Sequence, residues 1–290
     1  LIGTPGAGKT MLARAIPSIL PQLTYEESLG ITKIHSITGA TKGRGMIRER
    51  PFRAPHHGAS GAALVGGGNR AMPGEISLAH YGVLFLDELP EFRHDVLEAL
   101  RQPLEDGFIT VSRAAATATY PAEFVLVAAM NPCPCGYLGD GRRECVCQGF
   151  RLRQYRSRLS GPLLDRIDLR LEVPRVPPRA RRAAIASEPS AAVRERVVAA
   201  RRLQVARLAG TGAYANAHMT APLLRRFCRL EPAATVLLDR AYDRLYLSAR
   251  GADRVVKVAR TIADLEGAET ITADHVRESL GYREMEASRG

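Results

Sequence analysis

The first ten residues, LIGTPGAGKT (residues 1–10), decide how the chain is read. They hold the pattern G-x-x-x-x-G-K-[ST], with Gly3, Gly8, Lys9 and Thr10 in its fixed places and Thr4, Pro5, Gly6 and Ala7 between them. A Gly-rich turn of this kind lets successive backbone N–H groups point inward around a phosphate, and a helix starting at Gly8 or Lys9 aims its positive end at the same group. Lys9 then reaches the β and γ oxygens of a nucleoside triphosphate such as ATP, and the Thr10 hydroxyl ligates Mg²⁺. The pattern requires a strand before it and a helix after it. Residues 11–20, MLARAIPSIL, carry apolar positions at helical spacing, with Pro17 bending or ending the helix. Only Leu1 and Ile2 precede the motif, so the strand is expected to end near Ile2. The chain therefore reads as a piece of a longer protein that lacks most of its first strand, and it is expected to be poorly stable and weakly active by itself.

A second anchor lies at GVLFLDEL (residues 82–89). Val83, Leu84, Phe85 and Leu86 form a continuous apolar run, as in a strand buried on both faces of a parallel sheet. Asp87 and Glu88 emerge at its carboxyl end, where α/β sheets place their ligands. Asp87 is read as the carboxylate that holds Mg²⁺ through water in support of Thr10, and Glu88 as the group that polarises an attacking water. A further buried strand, FVLVAAM (residues 124–130), ends at Asn131, which can contact the γ-phosphate or orient the water, or simply form the turn before Pro132.

Between these anchors, residues 93–104 read as one helix. Residues 108–113 and 117–120 read as a hairpin with Arg113 near its tip. Earlier, residues 25–30 read as a short helix and residues 31–37 as a strand or the start of a helix. Residues 42–53 read as an exposed basic loop. His56 and His57 are adjacent, so they point different ways and are assigned a loop contact or a satisfied pair rather than a shared metal. Later, Pro162 opens a short helix that reaches Arg166, and residues 167–173 alternate as a strand would. A Pro- and Arg-rich linker (176–189) separates residues 1–175 from an all-helical region, 190–290, with Thr220, Pro232 and Thr272 as helix starts and Gly210 and Gly267 as stops.

With 290 residues, 46% of them apolar, the chain supports one large or two modest cores. No apolar run approaches the roughly 20 residues of a membrane helix, and no signal peptide is visible, so no membrane partner and a cytoplasmic location are expected. The net charge of +11 is the footprint of a nucleic-acid binder, or of a basic surface that meets acidic protein partners. Of the 5 cysteines, four form two Cys-x-Cys arms, Cys133 with Cys135 and Cys145 with Cys147. Two such arms on a Gly-rich loop can close a tetrahedral S₄ site suited to structural Zn²⁺, the alternative being reduced thiols. Arg142 and Arg143 lie in that loop and Arg151, Arg153, Arg156 and Arg158 follow it. They are candidates for phosphate-backbone contacts, with Arg113, or else a solvated face.

Taken together, GTPGAGKT, RPFRAPHHGAS, PGEISLAHYGVLFLDELPEF, VSRAAATATYPAEF, AAMNPCPCG, RLSGPLLDRIDL and SARGADRVVKVARTIADLEG resemble the AAA+ ATPases, and more narrowly the Mg-chelatase-like branch called the ComM or YifB family. The resemblance spans nearly the whole chain. It implies an α/β fold, an αβα sandwich of the P-loop NTPase kind with a small C-terminal all-α lid domain. It also implies that residues 3–10 are the Walker A loop, Asp87 and Glu88 the Walker B pair and Asn131 sensor 1. Arg166 resembles the arginine finger that enters the next subunit's site, and Arg250 resembles sensor 2 in the lid. The hairpin at 107–124 resembles the insertion that faces a central pore in relatives. Gly58 departs from the Ser or Thr more usual after the two histidines, which leaves no hydroxyl there. Full-length members carry a Lon-like domain ahead of the ATPase that this chain lacks. The activity implied is that of a hexameric, Mg²⁺-dependent ATP-driven motor on branched or single-stranded DNA, a branch-migration helicase in recombination and natural transformation. The shared motifs also fit the motor subunit of a magnesium chelatase that remodels a protein partner. A scaffold that binds ATP without hydrolysing it is disfavoured by the intact Glu88.

Overall fold

Residues 1–41, 45–68, 70–113, 116–177 and 188–283 are described in the computed structural model. Lys42, Arg44, the Arg113 side chain and residues 178–187 of the expected linker lie outside them. The chain divides into two units: Leu1–Ser18, Gln22–Ile167 and Glu172–Ser187 in one, Ile19–Pro21, Asp168–Leu171 and Glu188–Gly290 in the other.

In the first unit the order is α1 (Lys9–Ile19), α2 (Tyr25–Ile37), β1 (Phe52–Arg53), α3 (Gly61–Val65), β2 (Gly66–Gly67), β3 (Met72–Pro73), α4 (Glu75–Leu78), β4 (Val83–Leu86), α5 (His94–Glu98), α6 (Arg101–Asp106), β5 (Phe108–Arg113), β6 (Ala116–Pro121), β7 (Val125–Ala128), α7 (Gly149–Ser157) and α8 (Gly161–Leu164). The apolar run of β4 is buried at every residue, and that is why it can sit inside the sheet. It pairs in parallel with β1 on one side, and with β7 on the other, Val83 opposite Val125 through Leu86 opposite Ala128. Ile2 makes parallel bridges to both Met130 and Glu172, so the sheet reads β1, β4, β7, Ile2, Glu172 across its width. Every neighbour in this order is parallel and none is consecutive in sequence, which is the layout of an α/β sheet with crossover helices. Leu84 and Leu86 pack with Leu64, Ile76, Val96, Leu97, Leu100 and Leu163 to form the core.

Several local expectations are corrected. Residues 25–37 form one helix, because Thr24 and Glu27 close a capping box at its start and Gly30 does not interrupt it. Residues 93–104 form two short helices; Pro103 has no N–H to donate to the Ala99 carbonyl, and the break falls there. The basic loop is only partly exposed. Arg50 pairs with Glu27 at 3.2 Å, and Arg53 holds Glu75 through two hydrogen bonds of 2.5 and 2.6 Å. The strand expected at 167–173 is reduced to Glu172. Residues 168–171 instead belong to the helical unit, within which Asp168 accepts from Arg254 at 2.8 Å and the Arg170 N–H donates to the Tyr282 carbonyl at 3.0 Å.

The second unit packs helices Ser190–Arg207, Ala221–Phe227, Pro232–Arg244, Ala249–Glu266 and Ala273–Gly281 around Leu208, Leu224, Val255, Ala259, Ile271 and Val276. Ser248 caps the fourth of these and Gly267 ends it in a left-handed turn, while Thr272 caps the last. Its buried polar centre is Asp264, which accepts from Arg207, from Arg260 at 3.1 Å and from Asn216 at 2.8 Å.

His80 is buried at the end of the loop that leads into β4, and its Nδ1 accepts the Glu123 N–H at 3.1 Å. Burial pushes its pKa down to about 4, which the acidic neighbours Glu123 and Glu27 only partly oppose. The unfolded chain therefore binds this proton first, and the contribution of neutral His80 is lost as pH falls from about 6.5 towards 4, with a ceiling of about 3 kcal/mol. His80→Asn, whose amide oxygen can accept the same N–H, is expected to flatten the fall in melting temperature between about pH 6.5 and pH 5, as measured by thermal melts of both proteins across that range. An equal fall in both would contradict the assignment.

Candidate functional site

At the carboxyl end of the sheet, the loop before α1 turns through Gly6 and Gly8, at φ +78° and +96°, a backbone that side chains with a Cβ rarely adopt. The turn delivers Lys9 and Thr10 into the first turn of α1. Together with Asp87, Glu88, Met130 and Asn131 it lines a groove of about 400 Å³. The first turn of a helix leaves N–H groups without intrahelical partners, and here they border that groove.

Lys9 is almost fully buried, and its ammonium uses all three donors: to the Gly3 carbonyl at 2.6 Å, the Thr4 carbonyl at 3.1 Å and Asn131 Oδ1 at 3.1 Å. Burial lowers its pKa and Asp87 opposes that. The Thr10 hydroxyl donates to Asp87 Oδ2 at 2.8 Å. The other carboxylate oxygen accepts the Glu88 N–H at 3.0 Å. Glu88 itself sits in the left-handed region, φ +55° and ψ +47°, held there as the next N–H, of Leu89, donates to Ala129 O at 2.9 Å. Non-glycine residues in this conformation concentrate at functional sites. The hydroxyl and carboxylate meeting at Thr10 and Asp87 are hard oxygen donors, a set that fits Mg²⁺.

His57 is paired with Glu88, its Nδ1 3.1 Å from Oε2. The ring packs edge-on against Phe92 and 4.0 Å from His56 between centroids. Only the return of β1 beside β4 brings the two together, and no sequence spacing reports that.

The other residues fall in three places. Arg166 is not in this groove: its guanidinium bonds Glu105 at 2.5 Å and the Pro162 carbonyl at 2.7 Å and is mostly buried. Arg250 lies in the first turn of Ala249–Glu266, in the second unit. The four cysteines converge, all Sγ atoms within 4.8 Å of one another, with edges of 3.3, 3.6 and 3.7 Å among Cys133, Cys135 and Cys145. A tetrahedral zinc thiolate with bonds of about 2.3 Å has S···S edges near 3.8 Å, so the donor set fits Zn²⁺. N–H groups of Cys135 and Leu138 each donate to a sulfur, Cys147 and Cys133 respectively, at 3.4 Å. Arg142 is exposed on this loop, whereas Arg143 is turned back onto Tyr137, donating to its hydroxyl at 2.9 Å.

The family model described as magnesium chelatase, subunit ChlI, matches residues 1–181, and the one for the ChlI C-terminal part matches residues 187–283. The chain belongs to this family. Within it the chain stands with the YifB and ComM proteins. It is 47% identical over 287 residues to YifB of Escherichia coli, covering 99% of this chain and 56% of that protein. It is also 47% identical over 286 residues to the competence protein ComM of Haemophilus influenzae, covering 98% and 55%. The magnesium-chelatase 67 kDa subunit of Chlorobaculum tepidum is 29% identical over 131 residues, 44% of this chain and 18% of that protein. The chain thus spans about half the length of these curated YifB and ComM relatives. Membership fixes the class of the fold: an AAA+ α/β P-loop domain followed by a helical C-terminal region. Among the described residues, no helix is long and apolar enough to cross a membrane.

Proposed function

We propose that this chain is the ATP-hydrolysing part of a homo-oligomeric motor, a hexamer by analogy with its family, that acts on branched or single-stranded DNA. The observation that carries the reading is the convergence of Lys9, Thr10, Asp87, Glu88 and Asn131 on one groove, with Thr10 and Asp87 2.8 Å apart. Lys9 gives up its bonds to the loop carbonyls and takes phosphate oxygens, and the N–H groups of residues 6–10 wrap the phosphates. Thr10 and Asp87 would hold Mg²⁺, which would supply positive charge to offset that of the phosphates. Glu88, released by His57, takes a proton from the attacking water, which Asn131 helps to orient. The Glu105 carboxylate holds Arg166 as the group offered to a neighbouring subunit's nucleotide, and Arg250 is the further positive charge that the family resemblance implies. Zn²⁺ in the four-cysteine loop has a structural role.

Turnover measured by phosphate release, beside binding of a fluorescent ATP analogue, tests the roles. Glu88→Gln and Arg166→Ala are each expected to lower turnover by about a hundredfold or more while leaving analogue affinity within about threefold. Turnover by Arg166→Ala equal to that of the unaltered chain would remove the role in trans.

The competence-protein name of the Haemophilus relative and the net charge of +11 support DNA as the substrate. Exposed Arg142 and the exposed Arg151, Arg153 and Arg156 of α7 offer a basic surface to phosphates, with Arg113 on the hairpin and Arg143 as further contacts. The match to a chelatase subunit favours a second reading, a motor that remodels a protein partner. A gel shift with a four-way DNA junction separates the two. The DNA reading predicts a complex that ATP strengthens and that weakens steeply between about 50 and 200 mM salt. No shift at low salt would favour the protein partner.

A further inference from the structure

The four-cysteine loop lies against the phosphate groove at two points. Its first arm begins two residues after Asn131, and Gly136 closes a tight turn there, its N–H donating to the Cys133 carbonyl at 2.9 Å. Gly136 is buried and left-handed, at φ +85°. A Cβ on it would stand 2.7 Å from both Cγ and Cδ of Pro5, in the phosphate-binding turn, and 3.9 Å from Asn131 Cγ. That approach leaves room for glycine alone. The second arm runs directly into α7, and Tyr155 of that helix donates its hydroxyl to the Asn131 carbonyl at 3.2 Å. Asn131 in turn accepts from Lys9. Both arms of the cysteine loop therefore end on the groove: one on the Pro5 wall, the other on the main chain of the residue that binds Lys9. The cysteines fix how far apart the arms stand. Four thiols this close, with Cys133 wholly buried, are held together without mutual repulsion of thiolates only by a metal or by protons.

We propose that the metal in the four-cysteine loop sets the affinity of the groove for nucleotide, by clamping Gly136 onto Pro5 and Tyr155 onto Asn131. The inference rests on the nucleotide-site and zinc readings above. With the metal bound, the wall of the phosphate turn is preformed and binding need not order it. With the metal removed, the arms separate, Pro5 loses its backing, and ordering the turn is subtracted from the binding free energy. The loop thus couples thiol chemistry to ATP occupancy at a site where none of the cysteines touches the nucleotide.

The test uses the whole chain and three readouts: zinc per chain by chromophoric chelator after thiol displacement, affinity for a fluorescent ATP analogue in excess Mg²⁺, and a thermal melt. Stripping zinc is expected to weaken the analogue about tenfold, and restoring zinc to recover it. Gly136→Val, which keeps all four cysteines, is expected to hold one zinc, to melt cooperatively, and to bind the analogue about tenfold more weakly whether or not extra zinc is added. Lys9→Ala reports separately on the groove and is expected to abolish binding in every metal state. Affinity unchanged within about twofold on stripping, with zinc present beforehand, would overturn the coupling. A chain that holds no zinc would overturn it through the metal reading, and a Lys9→Ala chain that binds the analogue normally would overturn it through the nucleotide reading.

Discussion

The parallel pairing of Val83–Leu86 with Val125–Ala128 is the constraint on which the rest of the molecule depends. Its register places Leu86 opposite Ala128, so Asp87 and Asn131 leave neighbouring strands at the same end of the sheet. Ile2, bridged to Met130, brings the glycine-rich turn of residues 3–8 to that end as well. Slipping the pairing by one residue would turn the side chains of β4 to the opposite face and carry Asp87 away from Thr10. The burial of all four β4 residues opposes such a slip, because each has a fitted apolar environment. The chemistry at the groove is therefore secured by hydrophobic contacts behind it.

The polar groups in front are matched to one another as closely as those contacts. Lys9 is buried, yet each of its three protons has an acceptor. Asp87 spends one oxygen on Thr10 and the other on the backbone of Glu88, and Glu88 meets His57. These bonds hold the side chains in place without a ligand, and each can be exchanged for a phosphate oxygen, a metal ion or a water. Binding of a ligand there would exchange bonds that Lys9 and Glu88 already make for new ones, with the backbone of the turn already in place.

Much of this was legible in the amino-acid order because local rules carry it. The spacing of Gly3, Gly8, Lys9 and Thr10, the apolar run before Asp87 and Glu88, and the paired cysteines each express a constraint within a few residues. So do Thr272 and Gly267 as helix boundaries. What was hidden depends on contacts far apart in sequence. His57 meets Glu88 across 31 positions, Gly136 meets Pro5 across 131, and Arg50 finds Glu27 across 23. Residues 167–173 alternate as a strand does, yet pairing with Ile2 is confined to Glu172 and the Val173 N–H, while the Asp168 carboxylate and the Arg170 backbone N–H bond within the helical unit. Alternation reports which side chains could share a face, and says nothing about whether a neighbouring strand is present.

We propose that Thr10 and Asp87, 2.8 Å apart, together hold the metal that accompanies a triphosphate between Lys9 and Asn131. The most direct measurement is calorimetric titration with a non-hydrolysable ATP analogue, with and without Mg²⁺, for the unaltered chain and for Thr10→Val. Mg²⁺ is expected to tighten binding by about tenfold or more in the unaltered chain and by less than about twofold in the variant. An equal effect of Mg²⁺ on both would contradict it.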